Sequence, residues 1–211
     1  MILNFIFFHL NAIVLAIWVF FLIIVAIRFF KKSWVKNISL KKLAVIAVVL
    51  NITYGAFITW AQYYVWATGS AFSKSFINSP LPKEVPLSSV LEWTRSLFEN
   101  KLGYFSYYVL GRFWLYIFIL FAISFILYFL LKIWKKYRGG FRDDGPLLIL
   151  ILMLISGWPG ILVFIPLGFI GSVLYLIISI LMGRRVVEIE PVFIFVALIA
   201  LVYGRLIIGL F

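Results

Sequence analysis

Long runs of apolar residues that carry no charge restrict the fold of this chain more than any other feature. The first run, Ile2–Ile27, contains no charged side chain and is longer than the roughly 20 residues that cross a bilayer core as a helix. Across the chain 65% of the residues are hydrophobic and 12% are charged. Soluble domains have about half apolar and a quarter charged residues. The sequence therefore predicts an all-α integral membrane protein.

The basic residues indicate how the chain is oriented. The formal net charge is +12, and many of the basic side chains fall in three short polar segments, 28–42, 132–142 and 184–185. Because cytoplasmic loops are enriched in lysine and arginine, these segments are predicted to lie on the cytoplasmic side, with both termini outside the cell membrane. The basic residues follow no nucleic-acid-binding pattern, so no nucleic-acid partner is predicted.

About six membrane spans are predicted in a single membrane domain, 1–211. The first run is interpreted as an uncleaved span because its positive charges follow the apolar stretch, whereas those of a signal peptide precede it. Gly157-Trp158-Pro159-Gly160 is the break that separates the fourth run from the fifth. Gly168, Gly171 and Ser172 are small enough to let two helices approach closely. The predicted spans are 2–27, 43–66, 109–133, 146–157, 160–182 and 191–211.

The longest polar stretch is the outer segment 67–108. After Pro86, Ser89 and Glu92 have the spacing of a capping box, and apolar residues then recur at helical spacing as far as Gly103. This pattern predicts one amphipathic helix that ends at Gly103. The helix either lies on the outer membrane face or caps the bundle from outside.

No cofactor and no metal ion is predicted. The chain has no cysteine, which excludes disulfides, thiol catalysis and iron–sulfur ligation. His9 is the only histidine, so paired histidine ligation of haem is impossible and a zinc site is not expected. The sequence motifs of the common soluble enzymes are absent as well.

Four acidic residues border the predicted fourth to sixth spans. Asp143 and Asp144 are the only aspartates, and Glu188 and Glu190 precede the last apolar run. Four arginines accompany them, so the segments are predicted to form a mixed-charge cluster at the inner face. One interpretation is a set of surface ion pairs worth about 0–1 kcal/mol each. The other is a catalytic or lipid-headgroup site, because neighbouring carboxylates at an interface perturb one another. The arginines are Arg138, Arg142, Arg184 and Arg185.

The order of landmarks from Gly111 to Gly204 resembles that of the type IV prepilin peptidases, which are membrane aspartyl proteases with a Gly-x-Gly-Asp motif. The matching elements are Arg138-Gly139-Gly140, Asp144, Gly157-Trp158, Gly171 and Pro191. The resemblance implies that Asp144 is the motif aspartate, and that a membrane-inserted helix is the substrate.

This chain departs from the family at its most specific positions. Phe141-Arg142-Asp143-Asp144 stands in place of the motif, and no aspartate lies near Arg28, where the family has its other catalytic residue. Aspartyl proteolysis needs two carboxylates that share a proton. A retained mechanism would therefore need Glu188 or Glu190 as the partner of Asp144.

Three functions follow from these observations. The leading hypothesis is a non-catalytic subunit or scaffold of a larger membrane assembly, whose partners are the lipid bilayer and other membrane subunits. The second is a diverged relative of the prepilin peptidases that acts on or holds a membrane-inserted substrate helix. The third is a small transporter component that uses polar side chains within the membrane. The candidates for the third are His9, Asn11, Asn51, Thr53, Thr59, Gln62, Ser124 and Ser179.

Overall fold

The structure is a computed structural model that describes residues 2–31, 38–85, 92–138, 142–183 and 188–209. Within these ranges the regular structure consists of helices, and no strand occurs. The predicted all-α fold is thereby confirmed. The α-helices are α1 (Ile2–Phe30), α2 (Leu40–Thr68), α3 (Ala71–Ile77), α4 (Gly103–Val109), α5 (Leu115–Arg138), α6 (Gly145–Ser156), α7 (Ile161–Leu181) and α8 (Glu190–Ile208). A 3-10 helix, Glu92–Phe98, precedes α4, and a π-helical segment, Leu110–Trp114, joins α4 to α5.

Four helical stretches of the described chain are long and apolar enough to cross a membrane: Phe8–Phe30, Leu40–Thr68, Gly103–Tyr137 and Ile161–Leu181. They correspond to the predicted first, second, third and fifth spans. The apolar stretches of α6 and α8, Gly145–Ser156 and Glu190–Gly204, are shorter. The structure thus supports an integral membrane protein through four helices.

One compact unit comprises Met1–Asn51 and Ile119–Phe211, and α6 is its most buried element. Every residue from Leu148 to Ser156 is buried, on all sides of the helix. The fixed φ of Pro146 suits the first turn, where its missing N–H costs nothing. A helix that is apolar all round and enclosed in this way belongs to the core of the unit.

Helices α7 and α8 pack closely and run in opposite directions. A Cβ placed on Gly168 would lie 2.6 Å from the ring of Phe193, and one on Gly171 would lie 2.9 Å from Val192. At the other end, a Cβ on Gly204 would lie 2.9 Å from the Cα of Gly160. The small residues predicted in α7 therefore do permit close helix approach.

The Gly157–Gly160 break forms the predicted turn between α6 and α7. Gly157 has a φ of 63°, in the left-handed region that favours glycine, and its N–H donates to the Met153 carbonyl. The Asn51 side chain on α2 donates to the Leu154 carbonyl at 3.2 Å. Both bonds satisfy carbonyl groups that the end of α6 leaves without a helical partner.

The second unit, Ile52–Phe118, has a dense aromatic cluster around Trp66. The rings of Tyr104 and Tyr108 lie 6.3 Å and 5.0 Å from Trp66, and Phe76 and Phe105 complete the cluster. Large rings that stack and meet edge to face in this way hold α2, α3 and α4 together.

The outer segment differs from its prediction. Residues 86–91, including the predicted cap Ser89, lie outside the described residues. Glu92 begins a 3-10 helix, and its carboxylate accepts a hydrogen bond from Arg95. That bond raises the pKa of the Arg95 guanidinium. Gly103 begins α4 and does not end a helix. The position requires glycine because a Cβ there would collide with the Phe98 carbonyl. The predicted third span therefore starts earlier than residue 109.

Candidate functional site

The polar turn between α5 and α6 meets the start of α8 through Arg142. The Arg142 backbone N–H donates to Oε1 of Glu190 at 2.8 Å. Its guanidinium donates to Oε2 of Glu188 at 3.4 Å. Two segments that are far apart in sequence are therefore joined by one arginine, and both predicted glutamates contact it.

Glu190 is the only fully buried charged side chain among the described residues, with 0% exposure. It is the first residue of α8, where the helix dipole favours a negative charge. One carboxylate oxygen accepts the Arg142 N–H, whereas Oε2 has no hydrogen-bond partner within the described chain. A buried polar atom without a partner costs about 1–3 kcal/mol, so the burial of this oxygen needs a reason.

The end of α1 also contributes to the site. The guanidinium carbon of Arg142 lies 4.9 Å from the centroid of the Phe29 ring, which is itself 4% exposed. A cation over an aromatic face is attracted by the ring quadrupole, and the attraction grows as water is excluded. Arg142 thus connects the ends of α1, α6 and α8.

The two adjacent aspartates make different contacts. Asp143 is exposed and accepts a hydrogen bond from Nζ of Lys135 at 2.8 Å. Asp144 is the N-cap residue of α6, and its backbone carbonyl accepts from Leu148. The Asp144 side chain makes no capping hydrogen bond. Asp143 therefore contacts α5, whereas Asp144 lies at the start of α6.

These contacts define the chemistry that the site offers. The bonds from Lys135 to Asp143 and from Arg142 to Glu188 are partly exposed ion pairs of modest worth. The bond to Glu190 is partly buried, has a charged acceptor that is itself buried, and is worth more. No three histidine, cysteine or acidic side chains of the described chain are grouped to hold a metal ion. Arg184, Arg185 and the side chain of Arg138 lie outside the described part.

Two of the polar residues considered for transport, Asn51 and Thr59, form hydrogen bonds within or between helices. Asn51 donates to the carbonyls of Ala47 and Leu154. Thr59 donates to the Gly55 carbonyl and accepts from the Trp114 indole at 3.1 Å. The hydroxyl of Ser124 is buried and has no partner within the described residues.

Two features of the site were missed in the sequence. Phe29 follows the first predicted run and carried no prediction, although its place beside Arg28 indicates nearness to a polar segment. Lys135 was predicted only as a charge that sets topology and suits a helix C-terminus. The spacing of Leu127, Leu131 and Lys135 places this lysine on the same face of α5 as two leucines, because residues four apart share a helix face.

Comparisons with known proteins add no identity. No family model matches the chain, and neither a curated protein nor a solved structure matches it. The resemblance to the prepilin peptidases therefore stays a prediction that depends on the residues quoted above.

Proposed function

We propose that this chain is an integral protein of the cell membrane that spans it six times and serves as a non-catalytic subunit or scaffold of a larger membrane assembly. The observation that carries this proposal is the structural use of its acidic residues. Glu188 and Glu190 bond Arg142, and Asp143 bonds Lys135. These charged side chains join the ends of different helices. Such contacts stabilise the bundle and involve no substrate.

The arrangement of α6, α7 and α8 supports the count of six. The start of α8 lies beside the turn before α6, through the bond between Glu190 and Arg142. The later part of α8 packs against Gly160, beyond the end of α6. Helices α6 and α8 therefore point the same way and α7 points back. Together with the four longer stretches, α6 and α8 make six membrane helices, of which α6, with 12 residues, is too short to cross a bilayer core unaided.

Cysteine mapping tests the topology directly, because the chain has no cysteine of its own. Single cysteines at the exposed positions Lys41 and Lys136 are expected to react from the cytoplasmic side. Cysteines at the exposed positions Ser75 and Lys101 are expected to react from the outside. Reaction of all four from the same side would overturn the first three spans. A cysteine at the exposed position Met182 tests the count, because six spans place it on the cytoplasmic side and four spans place it outside.

The assembly is tested by purification from native membranes in a mild detergent. A non-catalytic subunit is expected to resist carbonate extraction and to migrate with stoichiometric partner chains on native gels. A membrane-integral chain that is recovered only as a lone, stable monomer contradicts the scaffold function but leaves the topology intact. The two parts of the proposal thus fail separately.

One observation favours a second candidate, a diverged membrane aspartyl peptidase. Glu190 keeps one buried oxygen without a partner, and Asp144 makes no capping bond with its side chain. Glu190 bonds Arg142 and Asp144 follows it by two residues, and a retained aspartyl mechanism would need their carboxyls to share a proton. A prepilin cleavage assay decides between the candidates. The scaffold proposal expects no cleavage by the unaltered protein, whereas cleavage that Asp144→Asn and Glu190→Gln each abolish would establish the peptidase.

A further inference from the structure

An apolar cleft of about 60 Å³ lies among the last four helices of the first unit. Its lining includes Leu127 and Leu131 of α5, Ile149 and Met153 of α6, and Phe169 of α7. Ser172 also lines it, but its hydroxyl donates to the Gly168 carbonyl. The cleft therefore presents only apolar surface to an occupant.

The cleft opens to the outside of the unit. Phe169 is 52% exposed, and Leu127 and Leu131 are half-buried. On a membrane-spanning bundle, such a surface faces hydrocarbon. A flexible apolar chain that lies in the cleft gains dispersion contacts with its lining atoms. An acyl chain of a lipid has the required shape.

A basic group follows the cleft-lining residues of α5, one helical turn beyond Leu131. Leu127, Leu131 and Lys135 are spaced four residues apart and share one face of α5. An ammonium group has three donors, and the bond to Asp143 uses one of them. Lys132 and Lys136 add positive charge on the same turn of the helix. This end of α5 is therefore suited to a phosphate oxygen.

We infer that the cleft seats a short segment of one acyl chain of an anionic glycerophospholipid, whose phosphate is held at Lys135. The inference rests on the proposed membrane integration. Charge complementarity selects this occupant, because a positive end and an apolar body match an anionic lipid. A neutral helix from another protein would offer no anionic group to these lysines.

Native mass spectrometry tests the inference. The full chain is reconstituted in nanodiscs that contain equal amounts of phosphatidylglycerol and phosphatidylcholine, and is then released into the gas phase. We expect one retained lipid, with phosphatidylglycerol favoured about fivefold, the factor that corresponds to about 1 kcal/mol for one lysine at the surface. Absence of a retained lipid, or retention of a second copy of the chain in its place, overturns the inference.

Two pairs of matched variants locate the lipid. Leu131→Trp fills the cleft and is expected to abolish retention, whereas Leu130→Trp, on the adjacent 54% exposed position, leaves it unchanged. Lys135→Ala removes the preference for phosphatidylglycerol, whereas Lys101→Ala, at an exposed position of the second unit, keeps it. The lysine pair does not depend on how the core tolerates a tryptophan. Equal behaviour within either pair overturns the assignment.

The outcome is separable from the proposed function. A chain that carbonate removes from membranes contradicts the proposed function itself. A chain that stays in the membrane and retains no lipid contradicts the cleft alone.

Discussion

Replacement of Glu190 separates a structural carboxylate from one that is needed for its charge. In Glu190→Gln the amide oxygen can still accept the Arg142 N–H, and the amide nitrogen takes the position of the oxygen that has no partner. The charged bond is weakened, but no charge is buried, so the free energy of unfolding should stay within about 1 kcal/mol of the unaltered protein. Glu190→Ala removes the acceptor altogether.

The loss in Glu190→Ala is expected to be larger. A hydrogen bond to a charged group is worth about 1.5–3 kcal/mol, and truncation also empties a position that is 0% exposed. We expect a loss of about 2–4 kcal/mol in the free energy of unfolding. The assay is equilibrium unfolding in mixed micelles, followed by circular dichroism. Glu188→Ala is the matched control, because its partly exposed pair with Arg142 is worth at most about 1 kcal/mol.

The result that refutes this reasoning is a Glu190→Gln variant as unstable as Glu190→Ala. The negative charge itself would then be required. The neutral backbone N–H of Arg142 would not account for it, and a cationic partner of Glu190 would have to exist. A Glu188→Ala variant as unstable as Glu190→Ala would refute it differently, because burial would no longer decide the ranking.

Two further substitutions test how the helices are held together. Asn51→Leu should lower the free energy of unfolding by about 0.6–1.7 kcal/mol in the same assay, since it removes an interhelical bond, whereas Asn11→Leu at an exposed position should have no effect. An equal change in the free energy of unfolding for Asn51→Leu and Asn11→Leu would mean that the bond to the Leu154 carbonyl adds no stability. Gly168→Val should cost about 1–3 kcal/mol, because its Cβ would lie 2.6 Å from a ring carbon of α8. Gly111→Ala, with no atom within 4 Å of the added Cβ, is its control and should cost nothing.

The long helices were predictable because hydropathy and length determine them together. The described part of α1 ends at Phe30, three residues past the predicted span, and α7 matches its predicted range within one residue at each end. The close approach of α7 and α8 was predictable too, because only glycine or another small residue lets two helix backbones come so near. These features depend on local composition.

The outer segment was predicted less well because its folding depends on contacts between distant residues. Arg95 binds Glu92 and also donates to the backbone carbonyls of Lys83 and Val85. Leu81 pairs with Phe98 through backbone atoms, and Gly103 permits that approach. A glycine at a helix end and a glycine at a backbone crossing look the same in the sequence.

The site was predictable in its residues and unpredictable in its burial. The acids were found from their rarity, but nothing in the spacing of Glu188 and Glu190 distinguishes an exposed carboxylate from a fully buried one. Glu188 precedes α8 and is exposed, whereas Glu190 is the first residue of the helix and points inward. That difference follows from tertiary packing against Arg142.

Helix α6 is the element that hydropathy alone describes least well. Its 12 residues extend about 18 Å, which is less than the roughly 30 Å of a bilayer core. A backbone that ends at that depth is tolerated in a membrane only where protein encloses it and satisfies its carbonyl groups. The structure meets both conditions, because Leu148–Ser156 is buried and Asn51 donates to Leu154. The apolar sequence of α6 is therefore a requirement of the protein core, and the turn after it depends on α2 as much as on its own glycines.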